Sequence, residues 1–577
     1  MSKLDLQLNK KSIAQDGVFA VAMLAAAVFL FWKCRYGFGN IDESFYITIP
    51  YRLFRGDALF LEEWHLSQMA GLLTLPPVAL YVSLTGGTDG IILFMRYLCS
   101  TVQCAIALFI YLRLRKITWA GAAVAALSFV LYIPFGIMAL SYNSMGIMAL
   151  VVCTVILYTA KSRKPLQYII AGLFYAVAVL CCPYLAVVFV LYLVAVGAVA
   201  LGKYLSRTPA REDFDCWSIK GAFFVSVGAA IAAVAFLAFV LSRASVGDIL
   251  KAFPQILNDP EHPAIAFVDS FNAFFRRIDK ANALTPQLYD GFLLLGIVCI
   301  ADRNSHKRKL AYFPIATALT IVLMHSHYEL NNYINTLMWS VNVLAIFAFI
   351  LTQDKRIKGM FYTMWIPGIL YAFCLNITSN QGFYAISSAS AAATVGSILM
   401  VTLFAAEMVK DSNVPIPLMR YCAAGLVGLL MVFQLGTQCV LRYNSVFWEK
   451  GMENQTVRIE DGIDAGLIVS EAWDRSYHNT LKNLQVLEKY DPEKVLFLSK
   501  STWYYLATDY ESSTYSAWIA GVTEHSINRL EAYYALNPHK MPDAVFADIQ
   551  YKEIAQLFCQ RFDYQMESVP GGYVLTK

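Results

Sequence analysis

Charge is what this sequence has least of. Only 15% of its 577 residues are Asp, Glu, Lys or Arg, against 58% hydrophobic ones, and the mean hydropathy is +0.52. Soluble proteins carry about 25% charged residues, so there is too little charge here to clothe a water-soluble globule of this length. Disorder, collagen and coiled coil are excluded by the same figures. No CxxC pair occurs among the 12 cysteines. Most of them (Cys99, Cys104, Cys153, Cys181, Cys182, Cys299 and Cys374) lie inside apolar runs, where a thiol acts as a small apolar side chain. No Lys/Arg-rich run is interleaved with aromatics, so no nucleic-acid partner is expected. What remains is a polytopic membrane protein.

The scarce charges are unevenly placed. From Arg442 onward 13 basic residues stand against 19 acidic ones, and the chain before it carries 32 against 22. A basic membrane portion and an acidic tail suggest two compartments. Lys3, Lys10 and Lys11 precede the first apolar run, Gly17–Trp32, which is followed by no small-residue cleavage site and reads as an uncleaved span. Basic clusters recur between later runs: Arg113–Lys116, Lys161–Lys164, Lys203–Lys220, His306–Lys309, Lys355–Lys358 and Lys410–Arg420. The excess of Lys and Arg on cytoplasmic loops places all six inside. Gly71–Leu84 is short for a span and contains Pro76-Pro77, so it is expected to stay at the outer face as an interfacial or re-entrant segment. About 13 crossings follow, with the N-terminus cytoplasmic and the tail outside.

The expected architecture is therefore an α-helical transmembrane domain over 1–441, with a large first outer loop (34–90), and a small extracytoplasmic α/β domain over 442–577. In the tail, Val495–Leu498 and Ala544–Phe546 read as buried strands. Asn479–Tyr490 and Ile527–Leu536 read as helices, and Pro570-Gly571-Gly572 as a hairpin turn. The tail holds neither GxGxxG nor a nucleophile elbow.

The densest chemistry follows the first span: Asp42-Glu43, then Arg52, Arg55-Gly56-Asp57, Glu62-Glu63-Trp64-His65, Gln68, Pro76-Pro77 and Arg96. Adjacent carboxylates at a membrane surface must be solvated, paired or used, and a partly desolvated one is suited to general-base work. Taken alone, such a pair after a span favours the reading as ordinary interfacial charge. Arg96 lies inside an apolar run, where an arginine costs about 2.5–3.5 kcal/mol on insertion scales, so a partner is expected. A lipid phosphate would serve, as would a carboxylate such as Asp89. Arg52 and Arg55 have the same phosphate-matching geometry.

This order of features resembles the C-type (GT-C) membrane glycosyltransferases, and within them the protein O-mannosyltransferase and lipid A aminoarabinose transferase group. The resemblance in motif covers about residues 35–115. It departs from the family pattern at His65, which stands well before Pro76-Pro77, with no lysine after the prolines. The resemblance implies transfer of a sugar from a polyprenyl-phosphate donor at the outer face of the plasma membrane of a bacterial envelope, to a glycan, lipid or protein acceptor. Asp42 maps to the catalytic acid, with Glu43 as its neighbour, and Arg96 to the family's arginine. Direct displacement by an activated acceptor needs one base and inverts the anomeric carbon.

Other polar groups are candidates for lining such a site. His65, Gln68, Arg52 and Arg55 lie in the first loop, Tyr142 and Asn143 open a span, and Asn380 falls in a late outer loop. His325-Ser326-His327-Tyr328-Glu329 carries metal-ligand types at alternating positions, which an extended segment would place on one face. Polar loop residues or donor contacts at His325 and His327 are the simpler reading, and a divalent cation stays a candidate cofactor. Phe267, Phe271, Phe274 and Phe275 recur at helical spacing beside Arg276-Arg277, as in an interfacial amphipathic helix. A secondary transporter is the competing class, although no internal repeat is present. A non-catalytic assembly or polymer-export protein is the third.

Overall fold

The computed structural model describes residues 3–39, 41–133, 136–161, 164–206, 215–259, 266–281, 284–302, 310–328, 336–379, 381–410, 417–446, 451–519 and 522–577. For 3–12, 327–328, 336–337 and 417 it gives the backbone alone. In chain order the helices are α1 (Lys3–Lys33), α2 (Asp42–Phe54), α3 (Gly71–Thr85), α4 (Ile91–Leu114), α5 (Trp119–Val130) and α6 (Tyr142–Thr159). Next come α7 (Pro165–Cys181), α8 (Leu185–Leu205), α9 (Ile219–Leu241), α10 (Val246–Leu257), α11 (Phe267–Asp279) and α12 (Thr285–Ala301). The bundle closes with α13 (Tyr312–Tyr328), α14 (Thr336–Leu351), α15 (Lys355–Thr378), α16 (Phe383–Lys410) and α17 (Pro417–Asn444).

Among the described residues nine of these helices are long and apolar enough to cross a membrane, and five shorter apolar ones accompany them. Each expected span coincides with a helix. Polar starts are capped locally: Ser141 and Ser144 form a capping box at α6, and Thr118 and Ser218 accept backbone N–H groups at α5 and α9. Close packing rests on small residues. Gly172 of α7 faces Val225 and Gly228 of α9 faces Ile169, so a Cβ at either would strike the opposing backbone. α16 is the central helix, buried along nearly its whole length between α14, α15 and α17.

α3 has the length of a span. Gly71, at its start, is packed on Ile49 of α2. Just past its end, Thr88 Oγ1 donates to Leu506 O (2.6 Å) and Gly90 N to Gly462 O (2.8 Å), both in the tail. The end of the helix is thus tied to the C-terminal domain and its start to α2.

The C-terminal domain starts beyond α17 and includes β1 (Val457–Arg458), β2 (Ile468–Val469), α18 (Glu471–Leu484), β3 (Lys494–Leu498), β4 (Glu511–Ser512), α19 (Glu524–Leu536), β5 (Ala544–Asp548), α20 (Lys552–Phe562), β6 (Gln565–Val569) and β7 (Gly572–Thr576). The main sheet has the order β4-β3-β5-β7-β6, with β3 parallel to β4 and β5 and the last hairpin antiparallel. Val495, Leu496, Phe497 and Leu498 are all buried, as a strand covered on both faces requires. The domain is laced to the first loop: Gly37 N donates to Ile468 O (2.8 Å) and Ile468 N to Arg35 O (2.7 Å).

Candidate active site

α2 lies under the C-terminal domain, with Asp42 and Glu43 in its first turn. Its start is held from above. Thr502 Oγ1 donates to Ile41 O (2.7 Å) and lies 2.6 Å from Ser44 Oγ, while Thr48 Oγ1 reaches Thr502 O (3.3 Å). Thr502 follows β3, so the carboxyl edge of the parallel strands points at this helix terminus, the edge where open α/β sheets collect ligands. Asp548, at the end of β5, accepts from Ser499 Oγ (2.5 Å) and Tyr504 Oη (3.1 Å). Burial raises its carboxyl above the usual range against those hydrogen bonds.

The two adjacent carboxylates are treated differently. Glu43 is buried, and Arg96 binds it with two prongs: Nε to Oε1 (2.5 Å) and Nη2 to Oε2 (2.6 Å). Gly39 N adds a third contact to Oε2 (3.1 Å), and Arg96 Nη1 continues to Cys34 O (2.8 Å). The partner expected for Arg96 is thus Glu43, rather than Asp89 or a lipid phosphate. Asp42 is half-buried at the same turn.

One turn on, Tyr46 is close enough for Asp42 to act on its hydroxyl electrostatically. Burial is the main reason its pKa stands far above normal, and Asp42 and the Tyr142 contact add to this. The Tyr46 and Tyr142 rings meet edge to face at 5.8 Å. Together with Ile49, Ser67, Gly71, Thr74, Leu140, Ser141 and Met145 they line a narrow cleft with room for about one water molecule. His65 borders it through Ser67, whose backbone N–H (3.1 Å) and hydroxyl (2.8 Å) meet Nδ1. A backbone donor at Nδ1 places the neutral ring's proton on Nε2. The ring is packed on Phe45 at 4.6 Å. Gln68 Oε1 accepts from the N–H of Phe60, which has a positive φ of 65°, so Gln68 braces a strained turn. Its Nε2 is buried without a hydrogen-bond partner. Asn143 is buried beside Tyr142, and its Oδ1 is likewise unpartnered.

The remaining first-loop residues do something else. Arg52 is buried and bonded to Asp57 Oδ2 (2.6 Å), Glu63 Oε2 (2.5 Å), Glu62 O (2.8 Å) and Thr514 O (2.8 Å). Lys540 of the C-terminal domain joins the same network at Asp57 Oδ1 and Glu511 Oε1, both 2.6 Å. Burial opposes both charges, but the carboxylates outweigh it and hold both pKa values above normal. The phosphate partner considered for Arg52 is replaced by carboxylates, and this cluster fastens the first loop to the tail. Arg55 is exposed and donates to Asp509 O (3.0 Å).

Two expectations change with the helices. His325 is exposed on α13, and because this segment is helical, not extended, positions two apart point to different sides. Glu329, Asn380 and the side chain of His327 lie outside the described residues. Among the described residues no group of three metal-ligating side chains occurs. On α11, Phe274 is buried on Phe373, while Phe267, Phe271 and Phe275 are exposed, as in an amphipathic helix. Arg277 fixes that helix to Asn376 Oδ1 (2.7 Å).

Sequence reasoning passed over Tyr46, Ser67 and Thr502. Tyr46 had a signal, since it lies one helical turn from Asp42. Thr502 had none, because a contact across 461 positions is not written in local pattern.

No family model matches this sequence, and no curated protein matches it. Among solved structures, the chain is similar to the crystal structure of ArnT from Cupriavidus metallidurans bound to undecaprenyl phosphate. The TM-score is 0.45 and the identity 11%, over 98% of each chain. It is also similar to the crystal structure of the Archaeoglobus fulgidus oligosaccharyltransferase tethered with an acceptor peptide, with a TM-score of 0.43 and 11% identity over 97% of this chain and 74% of that one.

Proposed function

We propose that the protein transfers a sugar from a polyprenyl-phosphate carrier to a hydroxyl or amine acceptor, on the side of the membrane where the C-terminal domain lies. One observation carries the reading: of the two adjacent carboxylates, Glu43 is held by Arg96 while Asp42 stands at the helix start beside the Tyr46–Tyr142 cleft.

Asp42 accepts the acceptor's proton as it attacks the anomeric carbon, the lipid phosphate leaves, and the carbon inverts. A single base suffices for one displacement. Glu43 and Arg96 act as positioning residues, because their pairing fixes the first turn of α2 and with it the direction of the Asp42 side chain. His65 Nε2, Ser67 and the two tyrosine hydroxyls supply polar contacts for the transferred sugar. The order of motifs after the first span supports the same reading, as does the absence of a nucleotide-binding motif from the tail. A lipid-phosphate donor reaches the cleft through the bilayer.

The test is Asp42→Asn in the purified full-length protein, reconstituted with radiolabelled polyprenyl-phosphate sugars and envelope extract as acceptor. Loss of about 10²–10⁴-fold in transfer, with membrane insertion and thermal stability retained, is the expected result. Full activity in that variant would remove Asp42 as the base. Solute flux through vesicles without any lipid-linked sugar would favour a transporter.

A further inference from the structure

Behind the Glu43–Arg96 pair lies a group of charges that the transfer chemistry does not use. Arg442, in the last turns of α17, is fully buried, and Nε, Nη1 and Nη2 all lack a hydrogen-bond partner. Lys33, at the end of α1, is 4% exposed, and among the described residues its amino group meets the thioether of Met452 (2.8 Å), a weak acceptor. Lys33, Arg442 and Arg96 are near enough to repel one another. Of the three, Arg96 has a carboxylate, and among the described residues neither of the others does.

The same face of α17 continues the pattern. Gln438 and Gln434 stand one and two turns before Arg442, both wholly buried. Gln438 has neither amide atom bonded, and Gln434 has its Oε1 unbonded, with Nε2 on Ser128 Oγ (3.3 Å). Spacing of four puts these side chains on one stripe. Buried guanidinium groups without acceptors are rare because desolvation of the charge is uncompensated. In a membrane segment an ionisable side chain of this kind marks a ligand site by default.

We propose that Arg442 and Lys33, with the Gln438 amide as a further donor, form a binding site for a phosphate oxyanion. Among the described residues the two side chains have no carboxylate partner, and phosphate brings up to two negative charges with several acceptor oxygens. The guanidinium fork matches that group in two-pronged geometry. The site lies at the end of the bundle nearest the C-terminal domain, beside the stacked Trp32 and Tyr443 rings (6.1 Å), which are themselves partly exposed. Free phosphate and a phosphorylated lipid headgroup present the same chemistry there. The inference goes beyond sugar transfer and does not depend on Asp42.

The test uses the full-length protein, delipidated and returned to phosphatidylcholine nanodiscs, with the melting temperature followed by intrinsic fluorescence. Inorganic phosphate is titrated in one arm, and phosphatidic acid replaces a tenth of the lipid in the other. Stabilisation by several degrees in either arm, lost in Arg442→Gln and weakened in Lys33→Gln, is expected. A response to both probes assigns free phosphate, and a response to phosphatidic acid alone assigns a lipid headgroup. No shift in either arm, or a shift undiminished in Arg442→Gln, overturns the proposal. Should Arg442→Gln not fold, Lys33→Gln and Gln438→Leu decide it. Native mass spectrometry of the wild-type protein for bound phosphate or phosphatidic acid decides the same question without substitution.

Discussion

Both carboxylate oxygens of Glu43 are bound by the guanidinium of Arg96, at 2.5 and 2.6 Å, in a place closed to solvent. Removing one partner strands the other as a buried charge. Glu43→Gln and Arg96→Met are each expected to destabilise the protein by about 3–5 kcal/mol. The loss is read as a fall in melting temperature, whereas Asp42→Asn next door leaves it unchanged. Equal destabilisation by Asp42→Asn would mean that both carboxylates are structural.

The Tyr46–Tyr142 contact closes one wall of the cleft. Tyr142→Phe removes a hydroxyl and keeps the ring. A hydrogen bond contributes about 0.5–1.5 kcal/mol net, so KM for the sugar donor is expected to rise by about 2- to 10-fold with kcat little changed. Steady-state kinetics at saturating acceptor separates the two constants. A fall in kcat alone would place Tyr142 in the chemical step instead.

Gly71 marks where α3 approaches α2, and a Cβ there would overlap Ile49 Cγ2. Gly71→Ala is expected to cost about 1–3 kcal/mol through overpacking and to spread the cleft that both helices line. Ile49→Ala combined with it should recover most of the loss, measured by thermal unfolding and by transfer rate.

Lys540 joins the tail to the first loop at Asp57 and Glu511. Burial lowers its pKa, but Asp57 and Glu62 outweigh this and raise it above the ordinary 10.5. Its contribution to docking is fully present below pH 10.5 and is lost only as pH rises through the higher folded value. Limited proteolysis between β1 and β3 is therefore expected to be constant from pH 7 to 10 and to accelerate above that. Lys540→Met should show the fast cleavage already at pH 7.

Much of the architecture is legible in local pattern. The spans are apolar runs bounded by basic clusters, and the strands around Val495 and Ala544 are short apolar runs flanked by turns. For α3 the charge rule at Arg113–Lys116 argues against a crossing, while its length and hydropathy are those of a span. The site was legible only in part. Asp42 and Tyr46 share a helix face, but the division of labour between Asp42 and Glu43 depends on Arg96, 53 positions away in sequence from Glu43. Arg442 was hidden by its position. It sits at the seam of membrane and tail, where sequence alone reads it as the first charge of a polar domain.

The sequence by itself determined that this protein belongs in a bilayer and which way its charges divide, and it pointed to the segment after the first span as the candidate site. Periodicity and charge bias act over a few turns of helix, so they are written locally. Tertiary structure decided which charges are satisfied. Arg96 and Arg52 gained carboxylates, while Arg442 and Lys33 were buried without one among the described residues. Whether a buried ion is paired depends on what packing brings within about 3–4 Å, and that distance is set by helices remote in the chain.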